Sequence, residues 1–407
     1  MPKIAITNTT GGRNRGCEAL VTSIIGGLET VFPNGEAHVT LHTGDPDYDR
    51  DFYGSRLAGI MPAPRRMFDR WSPARQRAVY DAARILDKTI LRNRSTGAAI
   101  RNILNADLVI ATGGDIFTSD YGDFASHAGI LHSGAPVALL AHTIGPFDKA
   151  SEQLFKASTE NIALCTVRES ESFEYLTEIV PELSIELTAD VAFLLPVTPV
   201  EQARYIVETE HHFPIENRKL IGLSVSSGIL AFRSDVEPEA YLNEIAAFVD
   251  RLNQQGYKVL LLPHVQERVA RNNDMFACRE VFRRLQRPNE NLVISMPLSA
   301  SDFKGVIGLC DALIGARTHA TIASMSQGIP TVSIAYSRKA WGIMRDYYGP
   351  ELGKALTVEV ATMNRESLAA ALESALANGR TEQTAAEMKR RATINFTRIF
   401  ELLTKAR

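Results

Sequence analysis

Cysteine is scarce. Cys17, Cys165, Cys278 and Cys310 are the only four in 407 residues; they lie far apart, with no Cys-x-x-Cys pair and no histidine spaced for zinc. That spacing argues against a disulfide framework or a thiolate metal site, so reduced, mostly buried thiols and no metal are expected. Cys17, inside a glycine-rich loop, is the one thiol placed to touch a ligand. Long apolar runs are missing as well, and the start, MPKIAITNTT, has neither a basic n-region nor a cleavage site. A protein made and kept in the cytoplasm is the expectation. An excess of positive charge is also absent: 44 Lys and Arg face 47 Asp and Glu, for a net charge of −3, which argues against nucleic acid as a partner. Finally, the glycine loop after the first strand is not Gly-x-Gly-x-x-Gly, and no acidic residue closes the second strand, so a nicotinamide dinucleotide is not expected.

What is present is an ordinary globular composition, 45% hydrophobic and 22% charged, in a chain longer than one core usually supports. Two domains follow. KIAITN, EAHVTLH, ADLVIAT, PVALLAH, ALCTVR and SIELTA alternate with helical stretches in the first half. KLIGLSV, YKVLLLP, NLVIS, DALIGA, TVSIA and ALTVEV do so in the second. Strands alternating with helices mean mainly parallel sheets covered on both faces. The fold class is therefore α/β, with two Rossmann-like, doubly wound domains in tandem facing a central cleft. The expected boundaries are 1–197 for the first domain, 198–218 for a polar linker, 219–380 for the second domain, and 381–407 for a last helix packing back across both.

One stretch breaks the pattern, a basic helical insertion over 45–100. Between Arg50 and Arg101 twelve Arg and Lys stand against four Asp, with little strand signal. Val79, Ala82, Leu86 and Ile90 recur at helical spacing, with Trp71 just ahead. Such a helix is suited to an anionic membrane surface or a long acidic substrate, and equally to a solvated helical layer over the first domain.

The richest chemistry lies in Asp311 to Tyr336, where the strand DALIGA runs into a helix through Arg317, Thr318 and His319, and Gly328-Ile329-Pro330 stops the helix. Ligands of such βαβ units sit outside the carboxyl end of the strand, where helix N–H groups attract anions. An arginine fork binds carboxylate or phosphate, and an imidazole beside it moves protons near neutral pH. The plainer alternative pairs Arg317 with a carboxylate such as Asp311 and leaves His319 filling the first turn.

Other strand ends carry related groups. The first strand opens into TTGGRNRGCEAL, where Asn14, Gly16 and Glu18 are candidate substrate contacts, Glu18 equally a helix-dipole charge. Gly113 and Gly114 precede Asp115 and present its carboxylate at a strand edge, or simply make a turn. His142, before the Gly145-Pro146 turn, has a structural reading. Arg168 closes ALCTVR, His264 follows YKVLLLP, and Lys339 follows TVSIAY. Arg168, His264, Arg317 with His319, and Lys339 at one cleft would suit a small molecule with more than one negative charge.

In this order the pieces NRGCEAL, GGDIF, IGPF, VRESESFEYL, DVAFLLP and GARTHATIASMSQGIPTVSIAYSRKAWGIM resemble the polysaccharide pyruvyltransferase family over Lys3 to Arg345. The chain departs from that pattern at Cys17, where many members have Asp, and at the shorter glycine run GGD. The resemblance implies a GT-B-like fold and transfer of a pyruvyl group from phosphoenolpyruvate to a saccharide acceptor as a cyclic ketal, the acceptor being a polymer, a lipid-linked repeat or a nucleotide sugar. It implies donor contacts at Arg168, Arg317 and His319. His319 then stands as general acid/base and Asp115 as base for the acceptor hydroxyl, with phosphoenolpyruvate as co-substrate and no further cofactor. Peripheral placement at the inner face of the membrane through the basic insertion is an added expectation. A GT-B glycosyltransferase using a nucleotide sugar is the alternative; a non-catalytic glycan-binding or scaffold protein is a second.

Overall fold

The computed structural model describes residues 1–64, 73–85, 95–119, 124–216, 219–269 and 272–405. Trp71, Leu86, Ile90 and the cations Arg65, Arg66, Arg70, Lys88, Arg92 and Arg94 of the insertion lie outside the described residues. The chain divides into two compact units, one of 1–12, 20–191 and 390–407, the other of 13–19 and 192–389.

The first unit is a parallel sheet. Among the described residues it contains β1 (Lys3–Thr9), β2 (His38–Thr43), β3 (Gly59–Pro62), β4 (Leu108–Ala111), β5 (Gly114–Phe117), β6 (Val137–Ile144), β7 (Ile162–Val167) and β8 (Ile185–Leu187). Their order is β3-β2-β1-β4-β6-β7-β8, with β5 beside β6. The order reverses direction between β1 and β4, the mark of a doubly wound sheet. Continuous apolar runs such as VALLAHTI fit it, because both faces of a parallel sheet are covered, and every residue of β6 is buried. No strand was expected between 45 and 100, yet β3 pairs in parallel with β2. It is a four-residue edge strand ending in proline, too short for a period-2 signal. The helix Pro73–Ile85 of the insertion puts Tyr80 and Val79 into the core with Ile100, Ile103 and Phe124. Among the described residues of this helix, these two apolar side chains thus pack within the unit itself.

The final helix, Glu382–Lys405, contains the division between the units, at 389/390. In the first unit its Asn395 is fully buried: the amide oxygen accepts from Thr166 Oγ1 (2.6 Å) and Thr188 Oγ1 (3.1 Å), and the amide nitrogen donates to the Ala189 carbonyl (3.2 Å).

Two buried histidines of this unit set a pH dependence. His42 Nε2 donates to Asn102 Oδ1 (2.7 Å) and His142 Nε2 to the Ala111 carbonyl (3.2 Å). Nδ1 of each is buried with no hydrogen-bond partner among the described residues. Burial lowers His42 to about 4 and His142 to about 3, so both are neutral in the folded protein at pH 7. The unfolded chain takes up these protons below about 6.5 and the folded one does not. Stability is therefore complete above that pH and falls as the solution is acidified, by about 1.4 kcal/mol per pH unit for each histidine. Urea denaturation between pH 6.5 and 5 should show a fall of this sign, and His142→Gln should lessen it by the share of one histidine. An unchanged slope in that variant rejects the assignment to His142.

The second unit is also a parallel sheet, with β9 (Lys219–Ser224), β10 (Tyr257–Leu261), β11 (Asn291–Val293), β12 (Ala312–Gly315), β13 (Thr331–Ala335) and β14 (Thr357–Glu359) in the order β11-β10-β9-β12-β13-β14. Its order reverses between β9 and β12. Of the stretch 198–218, expected as a linker, the described residues 198–216 belong to this unit. A short helix, Val200–Arg204, runs into a π-helical turn, Tyr205–Glu210, and Ile206, Val207, Phe213 and Ile215 join the core with Leu220, Leu260, Phe303 and Leu313. Four apolar side chains in a polar stretch were reason enough for it to pack. Among the described residues of the whole chain, no helix is long and apolar enough to cross a membrane.

Candidate active site

The reversal between β9 and β12 is where an open α/β sheet offers a ligand crevice, outside the carboxyl ends of the strands. Arg317 stands two residues beyond β12. Its extended backbone (φ −110°, ψ 124°) makes it the residue that caps the helix Thr318–Met325. Gly315 permits the tight strand-to-helix turn, since a Cβ there would lie 2.6 Å from Thr321 Cγ2. His319 therefore falls in the first helical turn, half-buried.

The Arg317 guanidinium forms a two-pronged pair with Asp274, Nε to Oδ2 at 3.0 Å and Nη2 to Oδ1 at 2.7 Å, and Nη2 also donates to Asn272 Oδ1 at 3.3 Å. The sequence suggested Asp311 as the plain partner. Asp311 instead accepts from the Leu220 backbone N–H (2.8 Å) at the start of β9, at the opposite end of the strand from Arg317. Asp274 was missed because Asn273 and Asp274 open the helix Asp274–Arg283 and look only like a helix start. Asn273 does serve as that cap, accepting from Met275 N.

The N-terminal segment 13–19 belongs to this unit. Asn14 bridges Val265 in antiparallel fashion, Arg15 N donates to the His264 carbonyl (3.3 Å), and Gln266 N donates to the Arg13 carbonyl (3.1 Å). Asn14 Oδ1 accepts from Gly16 N (3.0 Å), which turns the chain into the helix Arg15–Val31. Gly16 lies directly on the imidazole: a Cβ there would stand 2.5 Å from His319 Nδ1 and 3.1 Å from its Cγ. The glycine loop and the Arg-x-His turn, some 300 residues apart in the chain, thus form one wall.

Two expected ligand contacts in this unit have other occupations. Glu18 is buried, accepting from Arg15 Nη1 (2.6 Å) and from Ala300 N (2.9 Å) at the start of the helix Ala300–Gly308. Burial raises its pKa, and Arg15 and the Ala300 N–H oppose that rise. Glu18 thus anchors the loop to a helix N-terminus. His264 is also buried, its ring 6.0 Å from that of Phe303. Burial, then the neighbouring His319, Arg317 and Arg15, hold it well below the ordinary histidine range. A neutral imidazole is what that setting permits. Lys339 sits in the first turn of the helix Arg338–Tyr348 with its ammonium 5.1 Å from the centre of the Tyr336 ring.

In the first unit, Arg168 departs most from expectation. Its side chain is 1% exposed; Nη1 pairs with Asp190 Oδ2 at 2.6 Å and Nε donates to Thr143 Oγ1 at 2.9 Å. A buried guanidinium needs such partners, and this one has them within its own fold. Two more residues of the VRESES motif bond within this unit: Glu169 caps the helix Ser170–Ile179 by accepting from Ser172 N (2.9 Å), and Ser172 Oγ accepts from Ile144 N (2.9 Å). Gly113 is explained by packing, because a Cβ there would meet the Leu140 and Ala141 carbonyl oxygens at 2.8 and 2.9 Å. Gly114 has φ +106°, a conformation that suits glycine. The pair leads into β5 rather than a longer loop, and Asp115 is half-buried on that strand. β5 follows β4, which borders the reversal point of the first sheet.

The family model described as polysaccharide pyruvyl transferase matches residues 14–338. The amylovoran biosynthesis protein AmsJ of Erwinia amylovora is 25% identical over 255 residues, 60% of this chain and 60% of that protein. The chain thus spans about three fifths of the curated relative it matches. Among solved structures, the S. aureus MnaA–UDP co-structure aligns with TM-score 0.60 at 13% identity, over 98% of this chain and 95% of that one. A Neisseria meningitidis UDP-GlcNAc 2-epimerase bound to UDP-GlcNAc aligns with TM-score 0.57 at 11% identity, over 99% and 100%. A putative UDP-N-acetylglucosamine 2-epimerase from Listeria monocytogenes aligns with TM-score 0.57 at 13% identity, over 98% and 95%. At these identities the likeness concerns the fold, two parallel-sheet α/β units of GT-B type.

Proposed function

The chain belongs to the polysaccharide pyruvyl transferase family, and from that premise we propose that it transfers a pyruvyl group from phosphoenolpyruvate to a sugar of a polysaccharide or its precursor, closing a cyclic ketal and releasing phosphate. The observation that carries the reading is the joint placement of Arg317 and His319 at the switch point of the second sheet, with Gly16 against the imidazole. A curated relative named for amylovoran biosynthesis supports the reading of a saccharide acceptor.

Phosphoenolpyruvate brings a carboxylate and a phosphate. Arg317 meets one of them through directed N–H bonds, beside the N-terminus of the helix it caps. His319 delivers a proton to the methylene carbon, which becomes the ketal methyl group, while one sugar hydroxyl adds to the central carbon. Phosphate leaves with the electrons of its C–O bond, and the second hydroxyl adds at the same carbon and gives up its proton. Asp115 is the group we assign to accept a hydroxyl proton. Lys339 supplies further positive charge, and Asn14, Gly16 and Glu18 form and brace the wall against the imidazole. Arg168, sealed with Asp190, contributes to the shape of its own unit. The direct test is phosphate release from phosphoenolpyruvate with candidate acceptors, with mass spectrometry for the pyruvate ketal on the acceptor. Release of nucleotide from a nucleotide sugar, without consumption of phosphoenolpyruvate, would replace this reading by glycosyl transfer.

A further inference from the structure

Asp274 is wholly buried and accepts from three separate segments: Arg317 through Nε and Nη2, Ser227 N (3.0 Å), and Val265 N (2.9 Å). Ser227 opens the helix that follows β9, and Val265 adjoins His264 beyond β10. One carboxylate therefore binds together the ends of β9, β10 and β12. Gly228 also packs on the guanidinium. A Cβ at 228 would lie 3.2 Å from Nη1 and 3.3 Å from Nη2 of Arg317, and 3.3 Å from Ser226 Oγ. That hydroxyl belongs to a residue with no exposed surface and has no hydrogen-bond partner among the described residues. The fork is thus gripped along its Nε–Nη2 edge by Asp274 and closely packed by glycine, next to an uncommitted hydroxyl.

We infer that Asp274 is a positioning residue for the donor: it holds the Arg317 fork in one orientation against Gly228, so that the anion is met by aimed N–H groups. The inference rests on the reading that Arg317 binds the donor. It also runs against simple electrostatics. A carboxylate next to an anion site repels the anion, so removing its charge should tighten binding if charge dominated, and weaken it if orientation does.

Isothermal titration of the full chain with phosphoenolpyruvate decides between them, with thermal midpoints measured alongside. Asp274→Asn should weaken binding by roughly tenfold or more, since a fork turned by about an ångström loses its alignment. Arg317→Ala should weaken it at least as much. The double variant should match Arg317→Ala within about twofold, because residues acting through one another are not additive. Gly228→Ala, which favours the helix but presses on the guanidinium, should weaken binding about threefold with no loss of thermal midpoint. Unchanged or tighter binding in folded Asp274→Asn overturns the inference, as does full multiplication of the two effects in the double variant. If Asp274→Asn does not fold, Gly228→Ala decides alone, and unchanged affinity there overturns it. If Arg317→Ala leaves affinity unchanged, the donor reading itself has failed, whatever the Asp274 variant does.

Discussion

Replacing His319 with glutamine should lower the rate of phosphate release from phosphoenolpyruvate roughly 10²- to 10⁴-fold, while the dissociation constant for phosphoenolpyruvate moves by no more than about threefold. Glutamine keeps a planar polar end of similar reach but cannot carry a proton through a cycle. The magnitude separates two roles. A general acid/base accounts for orders of magnitude in turnover, whereas a group that only lines a pocket changes affinity and leaves the chemical step nearly intact. Turnover within tenfold of wild type in folded His319→Gln would remove proton transfer from this residue.

The second large effect is expected at Gly16, where two consequences of one methyl group have opposite signs. In the first turn of Arg15–Val31, alanine favours the helix by up to about 1 kcal/mol. The same methyl would stand 2.5 Å from His319 Nδ1, closer than real contacts allow, and a tight 3.1 Å from Asn14 Oδ1. The backbone at Gly16 is held by the Asn14 turn and the pairing of Arg13 to Arg15 with the His264 loop, so the imidazole must give way. Gly16→Ala should therefore keep its thermal midpoint and lose about 10²-fold in turnover. Gly26 in the same helix is the control, since a Cβ there meets nothing within 4 Å, and Gly26→Ala should leave turnover unchanged. Normal turnover in Gly16→Ala would show that the ring tolerates displacement, and would detach the glycine loop from the chemistry.

How much of this was legible in the chain depends on the range of the interaction that decides it. Strand runs such as PVALLAH and DALIGA identified themselves, because burial on both faces leaves a continuous apolar signature within a few residues. The turn that places Arg317 and His319 at a helix start is equally local. β3 escaped notice because four residues at a sheet edge need no strong pattern. The apolar side chains of 198–218 were overlooked for a related reason: a polar majority hid four residues that found a core. Charged groups were the hardest. Arg168 and Arg317 looked alike, each a cation at the end of a strand. One is sealed with Asp190 and Thr143, while the other keeps 14% of its side-chain surface open and is gripped by Asp274.

The alternation of strands and helices, the doubly wound plan of both units, the scarcity of metal-binding cysteine patterns and the position of the Arg-x-His turn were determined by the sequence itself. Each follows from periodicity and backbone preferences that act over one or two turns of chain. Only the tertiary structure decided that residues 13–19 fold with the second unit, that Gly16 packs on the His319 ring, and that Asp274, 43 positions before Arg317, takes its fork. The physical reason is that a buried charge is stable only with a partner, and that partner can come from any segment the packing brings near.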